Sequence, residues 1–220
     1  MWALQQARID SLSCCCPNGV KSKMKNEEFR GQMAPFTRED LQLIRAKLKA
    51  KGAVRDLALL NVGVDTMLRA SDLVRLRVST LRDHRGQISQ AFVVRQTKTR
   101  EPVHLGLSDR TREAVAALIA AEAKYGDDFL FTRHGLPHGA HLTETALRLF
   151  VKQWAAIAER DPAKYSGHSL RRTKAVLIYR ETNNPELVRQ MLGHTSLSHT
   201  VAYLGVKGDD VSAMSRRFEI

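Results

Sequence analysis

The chain of 220 residues has almost no cysteine: Cys14, Cys15 and Cys16 are consecutive, and the rest of the sequence has none. Neighbouring cysteines do not easily reach relaxed disulfide geometry, so the fold gains no covalent staple and a reducing compartment is expected. Long apolar runs are also missing, and no segment approaches the roughly 20 apolar residues that a membrane-spanning helix needs. Residues 1–20 lack the apolar centre of a signal peptide, being interrupted by Gln5, Gln6, Arg8 and Asp10. These absences predict a cytoplasmic protein with no membrane partner. Internal repeats and low-complexity tracts do not occur either.

What the chain has in excess is positive charge. Lys and Arg number 35 against 23 Asp and Glu, a formal charge of +12. Residues 1–33 hold only five basic and three acidic side chains, so the excess belongs to the body of the chain. With 43% hydrophobic and 26% charged residues the composition is globular, which excludes wholesale disorder and collagen-like structure. A folded basic domain favours polyanions, and nucleic acid is the commonest of these for a soluble protein.

Residues 1–33 carry no sustained periodicity and read as a flexible N-terminal arm, with Met24 and Met33 as alternative starts. Residues 34–220 read as one domain. Thr37, followed three residues later by Asp40, resembles a capping signal ahead of Leu41, Ile44 and Leu48 at helical spacing. A second helix over 54–66 is apolar on most sides and is expected at the centre of the core. Residues 90–96 and 102–107 are β-rich and separated by a polar stretch, predicting an antiparallel hairpin with Lys98 near its tip. Helices are expected over 108–123, 143–160, 169–182 and 185–192, the last with Asn184 as N-cap, Pro185 in its first turn and Gly193 past its end. The expected class is α+β, mainly α, with one small antiparallel sheet.

Reactive polar residues recur at five places. Arg69 follows the apolar helix, Lys98 sits in Gln96-Thr97-Lys98-Thr99, and His168 and Arg171 lie three apart on one helical face. His194 follows Gly193, and Tyr203 comes nine residues later. One HxxR is a weak signal; five elements in order, with QTKTREPVHLGLS around Lys98 and LGHTSLSHTVAYL around Tyr203, are a strong one. Over residues 35–220 the pattern resembles the catalytic domain of the tyrosine recombinase (phage integrase) family, and closely resembles the short bacterial integrases that consist of little more than that domain.

The resemblance implies the DNA breaking-rejoining fold and site-specific recombination. Tyr203 would attack a DNA phosphodiester, form a 3′-phosphotyrosyl link and release a 5′-hydroxyl. Arg69 and Arg171 would hold the non-bridging oxygens, Lys98 would protonate the leaving oxygen, His168 would assist proton transfer and His194 would hydrogen-bond the phosphate. No metal or other cofactor is implied. Arg172, Lys174, Thr97, Thr99 and His199 are further candidate DNA contacts. The implied partner is a double-stranded recombination site in the bacterial nucleoid. There a homotetramer would assemble with residues 206–220 docking on a neighbour, while a monomer or weak association is expected without DNA. Family members usually carry a helical DNA-clamping domain ahead of the catalytic one, and residues 1–33 are too few to build it.

The residue chemistry agrees with these roles. Charge in a phosphoryl-transfer transition state spreads over the equatorial oxygens, so placement and electrostatic stabilisation dominate. Guanidiniums are permanently charged planar forks of donors. A phenol with a reference pKa of about 10 needs a cationic site or a nearby base to act as a nucleophile. A lysine on a hairpin can serve as general acid.

Each residue also has a plainer reading. Tyr203 lies roughly 100° from the stripe of Leu197, Val201 and Leu204 and aligns with His199, a rival proton acceptor. Arg69 alone is a cation at a helix end with Asp72 as partner, and His194 alone satisfies helix-end carbonyls. His134, His138 and His141 share a Gly/Pro loop without a Cys or carboxylate in the run, and a DNA-facing loop is a simpler account than metal. Residues 183–204 outline a helix-turn-helix, which supports the alternative of a non-catalytic DNA-binding regulator. DNA relaxation of the type IB topoisomerase kind is the nearer enzymatic alternative.

Overall fold

The computed structural model describes residues 32–133 and 138–205. Most of the expected arm, the expected docking segment 206–220 and His134 lie outside the described residues. In chain order the elements are α1 (Arg38–Ala50), α2 (Val54–Thr66), α3 (Ala70–Val74), α4 (Val78–Leu81), β1 (Ala91–Arg95), β2 (Pro102–Gly106), α5 (Asp109–Ala121), α6 (Glu144–Ile157), a 3-10 turn (Pro162–Lys164), α7 (Gly167–Thr182), α8 (Pro185–Leu192) and α9 (Leu197–Leu204). Among the described residues the only sheet is the β1–β2 pair, antiparallel with Ala91 opposite Gly106 and Arg95 opposite Pro102.

Local chemistry accounts for most boundaries. α1 starts in a capping box: the Thr37 hydroxyl accepts from the Asp40 N–H, and the Asp40 carboxylate accepts from the Thr37 N–H. The same carboxylate accepts from Arg160 at 3.1 Å, tying the start of α1 to the segment after α6. α2 buries Leu59, Leu60, Val62 and Val64 and ends at Met67, which adopts a left-handed conformation (φ 50°). Asp65 then holds the entry to α5, accepting from the Ser108 N–H and from the hydroxyls of Ser108 and Thr111. α7 begins at Gly167 because Ser166, not His168, is its cap, which places His168 in the first turn. Asn184 caps α8 through two backbone N–H groups, Pro185 opens it, and Gly193 closes it with φ 63°.

The main core gathers α1, α2, α5, α6 and the inward face of the hairpin. A second, smaller cluster joins Met67 to Ala175 and Val176 of α7, Val188 and Leu192 of α8 and Leu204 of α9, with Tyr203 packed against it. The last two residues of the expected arm are already engaged. The Gln32 side chain donates to the Ala202 carbonyl at 2.7 Å, and the Met33 carbonyl accepts from Arg172 at 3.0 Å. Ala34 N–H then donates to the Lys164 carbonyl, and Phe36 packs against Tyr165 in a tilted pair with ring centres 4.6 Å apart.

α2 and α7 meet at Gly63, where an added Cβ would sit 2.8 Å from Leu170 Cδ1 and 3.2 Å from Leu73 Cδ2. Gly63→Ala sets better helix propensity, worth up to about 1 kcal/mol, against overpacking of a buried contact, which costs about 1–3 kcal/mol. A net loss of about 1–2 kcal/mol is expected from urea unfolding at constant m; a midpoint equal to or above the parent's would show that the two helices can move apart freely.

Candidate active site

The left-handed turn at Met67 separates α2 from Arg69, so Arg69 is not the cation at the end of α2. It is the extended residue capping the N-terminal end of α3, where a positive charge gains nothing from the helix dipole. Its Nη1 donates to Gln96 Oε1, across the gap between α3 and the end of β1. Asp72 does not pair with it. That buried carboxylate accepts from the Thr97 N–H at 3.0 Å and so pins the hairpin turn that carries Lys98.

Arg171 projects from α7 into the interior and is 3% exposed. Its Nη1 donates to the Met67 carbonyl and its Nη2 to the Leu192 carbonyl at 2.6 Å. Both acceptors lie at helix C-terminal ends, where carbonyls lack intrahelical partners. Burial lowers the Arg171 pKa to about 10, with the Arg69 charge acting the same way and Tyr203 and Asp72 opposing it. It is still a cation at neutral pH.

Gln96 is 1% exposed and joins these parts. Its Oε1 accepts from Arg69 and from the Thr99 hydroxyl, and its Nε2 faces the Leu192 carbonyl at 3.4 Å. Gly193 lies directly behind it: an added Cβ there would be 3.1 Å from Gln96 Nε2 and 3.0 Å from Val103 Cγ2.

His194 follows Gly193. Its Nδ1 is 3.1 Å from the Thr200 hydroxyl, and its ring meets the Tyr203 ring edge-on, with centres 5.6 Å apart. Burial first, then the charges of Arg171, Arg69 and His199, depress its pKa to about 4, so the imidazole is neutral. The Tyr203 hydroxyl is buried without a well-aligned hydrogen bond. Burial pushes its pKa up to about 12, while Arg171, Arg172 and Arg69 pull it down. The phenol is therefore protonated, with the guanidiniums of Arg171, Arg172 and Arg69 beside it.

α9 differs from the expected stripe. Thr200 and Leu204 are buried and Tyr203 is half-buried, an i, i+3, i+4 face, whereas Leu197 is 43% exposed. Thr200 turns inward because its hydroxyl has His194 as a partner. Tyr203 thus shares the inward face, and His199 is exposed.

Arg69, Arg171, His194 and Tyr203 come together. Lys98 and His168 are exposed at the turn and in the first turn of α7. Thr97 is held by its backbone, Thr99 contacts Gln96, and Lys174 Nζ donates to the Asp65 carbonyl at 2.7 Å. Arg172 is 2% exposed, donates to the Met33 carbonyl and lies 5.8 Å from the centre of the Tyr203 ring, so like Arg171 it faces the interior. His138 Nδ1 is 2.9 Å from Asp128 Oδ2, and His141 Nδ1 meets the Leu142 carbonyl; no group of three metal-ligating side chains occurs among the described residues. Gln96 and Asp72 were assigned no part in the site by sequence reasoning. A signal existed for Gln96, since Phe92, Val94 and Gln96 alternate on the core side of β1.

The depressed His194 pKa links stability to pH. Between pH 6.5 and 4 the unfolded chain takes up a proton that the folded chain refuses, so the stability linked to His194 is complete above pH 6.5 and is lost as the pH falls toward 4. The thermal midpoint should drop across that interval, and less steeply in His194→Asn. Parallel profiles for the two proteins would contradict a buried neutral imidazole.

Comparison with known proteins bears on the family and the fold. Residues 36–208 match the phage integrase family. The chain is 26% identical over 163 residues to tyrosine recombinase XerC of Neisseria meningitidis serogroup C, covering 74% of this chain and 50% of that protein. It thus spans about half the length of the curated relatives it matches. Among solved structures it is similar to the XerH site-specific recombinase bound to difH substrate, with TM-score 0.65, 19% identity, and 83% of this chain and 53% of that one covered. It is also similar to the catalytic domain of bacteriophage HP1 integrase, with TM-score 0.54, 17% identity, and 84% and 95% covered. The fold is that of a tyrosine recombinase catalytic domain, and the chain belongs to the phage integrase family.

Proposed function

We propose that the protein acts in site-specific DNA recombination, cutting and rejoining strands through a 3′-phosphotyrosyl link on Tyr203. The observation that carries this reading is the convergence of two guanidiniums, from the start of α3 and from α7, a neutral imidazole after α8 and the phenol of α9. Membership of the phage integrase family and the likeness to a recombinase solved on its DNA substrate support it.

In the cleavage step the Tyr203 oxygen forms a bond to phosphorus while the bond from phosphorus to the 5′-oxygen breaks. The phenol proton passes to His168, and Lys98 supplies a proton to the departing 5′-oxygen. Arg69 and Arg171 bear the charge that builds on the non-bridging oxygens, which a guanidinium fork meets with two parallel donors. His194 suits a donor role in the tautomer protonated on Nε2, in which Nδ1, 3.1 Å from the Thr200 hydroxyl, is the acceptor and the Nε2 proton is free to bond a phosphate oxygen. Rejoining reverses these transfers, with a 5′-hydroxyl of the partner duplex displacing Tyr203. Lys98 and His168 are exposed, at the hairpin turn and in the first turn of α7, as groups that meet a bound duplex have to be. On the same reading the working assembly is a tetramer on two paired sites, with residues 206–220 reaching a neighbour.

The test uses a nicked duplex built from inverted repeats flanking the encoding locus. The parent protein should form a denaturant-resistant adduct, and Tyr203→Phe should form none while binding the intact duplex normally. An undiminished adduct in Tyr203→Phe would place the nucleophile elsewhere. For Lys98→Ala, slow cleavage should be restored when sulfur replaces the 5′-oxygen, since a thiolate leaves without a proton; no restoration in the folded variant would assign the acid to another group.

A further inference from the structure

We propose that Gln96 is a positioning residue for the strand-transfer site: it orients Arg69 and couples it, through the Leu192 carbonyl, to Arg171 and to the turn that carries His194. The inference rests on the recombinase reading of this site. Its basis is one side-chain amide at the meeting point of three separate stretches of chain. The Oε1 atom accepts from Arg69 of α3 and from Thr99 of the hairpin turn, and Nε2 faces the final carbonyl of α8. That same Leu192 carbonyl accepts from Arg171 at 2.6 Å, so both arginines are referred to one atom.

The amide suits this place better than other side chains. A carboxylate would form an ion pair with Arg69 and neutralise the charge that a phosphate needs, while an apolar residue would leave the guanidinium without an acceptor. A neutral oxygen takes one guanidinium N–H and leaves the positive charge and the remaining donors for a ligand. The backbone holds the amide in place: Gln96 N–H donates to the Glu101 carbonyl and the Gln96 carbonyl accepts from the Arg100 N–H, closing the hairpin turn around Lys98. Gly193, with its positive φ and no side chain, leaves space for the amide on the other side. Moving Gln96 therefore moves Arg69, the Lys98 turn and the approach to His194 together.

The test compares the parent with Gln96→Met, which keeps length and volume but removes the amide, and with Gln96→Glu, which adds a charge. Nitrogen relaxation of the Arg69 side chain, measured without DNA, should show a restrained guanidinium in the parent and a mobile one in Gln96→Met. Single-turnover adduct formation on the nicked duplex, expressed per folded molecule, should fall about 10–100-fold in Gln96→Met, with non-covalent affinity for the intact duplex unchanged. Gln96→Glu should keep Arg69 restrained yet cleave slowly, with a rate that rises as the pH is lowered and the new carboxylate protonates. A purely structural role would move the melting temperature and not this pH profile. An equally restrained Arg69 in Gln96→Met, or parent-like rates in both variants, would overturn the proposal. Absence of an adduct from the parent would overturn the recombinase reading instead, and the relaxation measurement alone would then decide whether Gln96 holds Arg69.

Discussion

The Arg171 guanidinium is buried between the ends of two helices, with the carbonyls of Met67 and Leu192 as its acceptors. Desolvating a cation costs several kcal/mol unless its donors are paired, and helix-end carbonyls are in turn acceptors without intrahelical donors. Each side therefore supplies what the other lacks, and the price is a fixed geometry for three helices. α2 has to stop where Met67 turns left-handed, and α8 where Gly193 does. Between them α7 is held by Gly63, whose missing side chain allows Leu170 against α2.

The electrostatics of the rest of the site follow from this buried charge. Arg69 is the second cation, kept apart by a neutral amide rather than a carboxylate, so the pair presents a positive field without cancelling it. Asp72 offsets part of the charge on Arg171 while fixing the hairpin turn through Thr97. Burial first, and then the cations, keep His194 neutral, and the cations draw the Tyr203 pKa back against the larger effect of burial. The site is thus a protonated phenol whose hydroxyl is buried beside three guanidiniums, those of Arg171, Arg172 and Arg69.

Much of this architecture was legible from the chain because it depends on local chemistry. The capping box at Thr37, the apolar α2, the Asn-Pro start and Gly end of α8, and the two strands are all encoded within a few residues. Short α3 and α4 were not foreseen, since five and four residues are too few for a periodic signal. The inward face of α9 was misread because hydrophobicity favoured Leu197, whereas the polar Thr200 is buried by its bond to His194, a partner in another element. Arg172 looked like a surface cation for the same reason: only the packed fold brings the Met33 carbonyl and the Tyr203 ring to it. The family pattern singled out six residues, and the structure places four of them, Arg69, Arg171, His194 and Tyr203, near one another. It leaves Lys98 and His168 exposed, at the hairpin turn and the start of α7.

The most direct measurement is mass spectrometry of the protein trapped on a nicked duplex, digested to single peptides and short nucleotides. A nucleotide joined through its 3′-phosphate to Tyr203 is the expected product. A nucleotide on His199, on Tyr179 or on any other side chain, or joined through a 5′-phosphate, would contradict the assignment of the buried phenol beside Arg171 as the nucleophile.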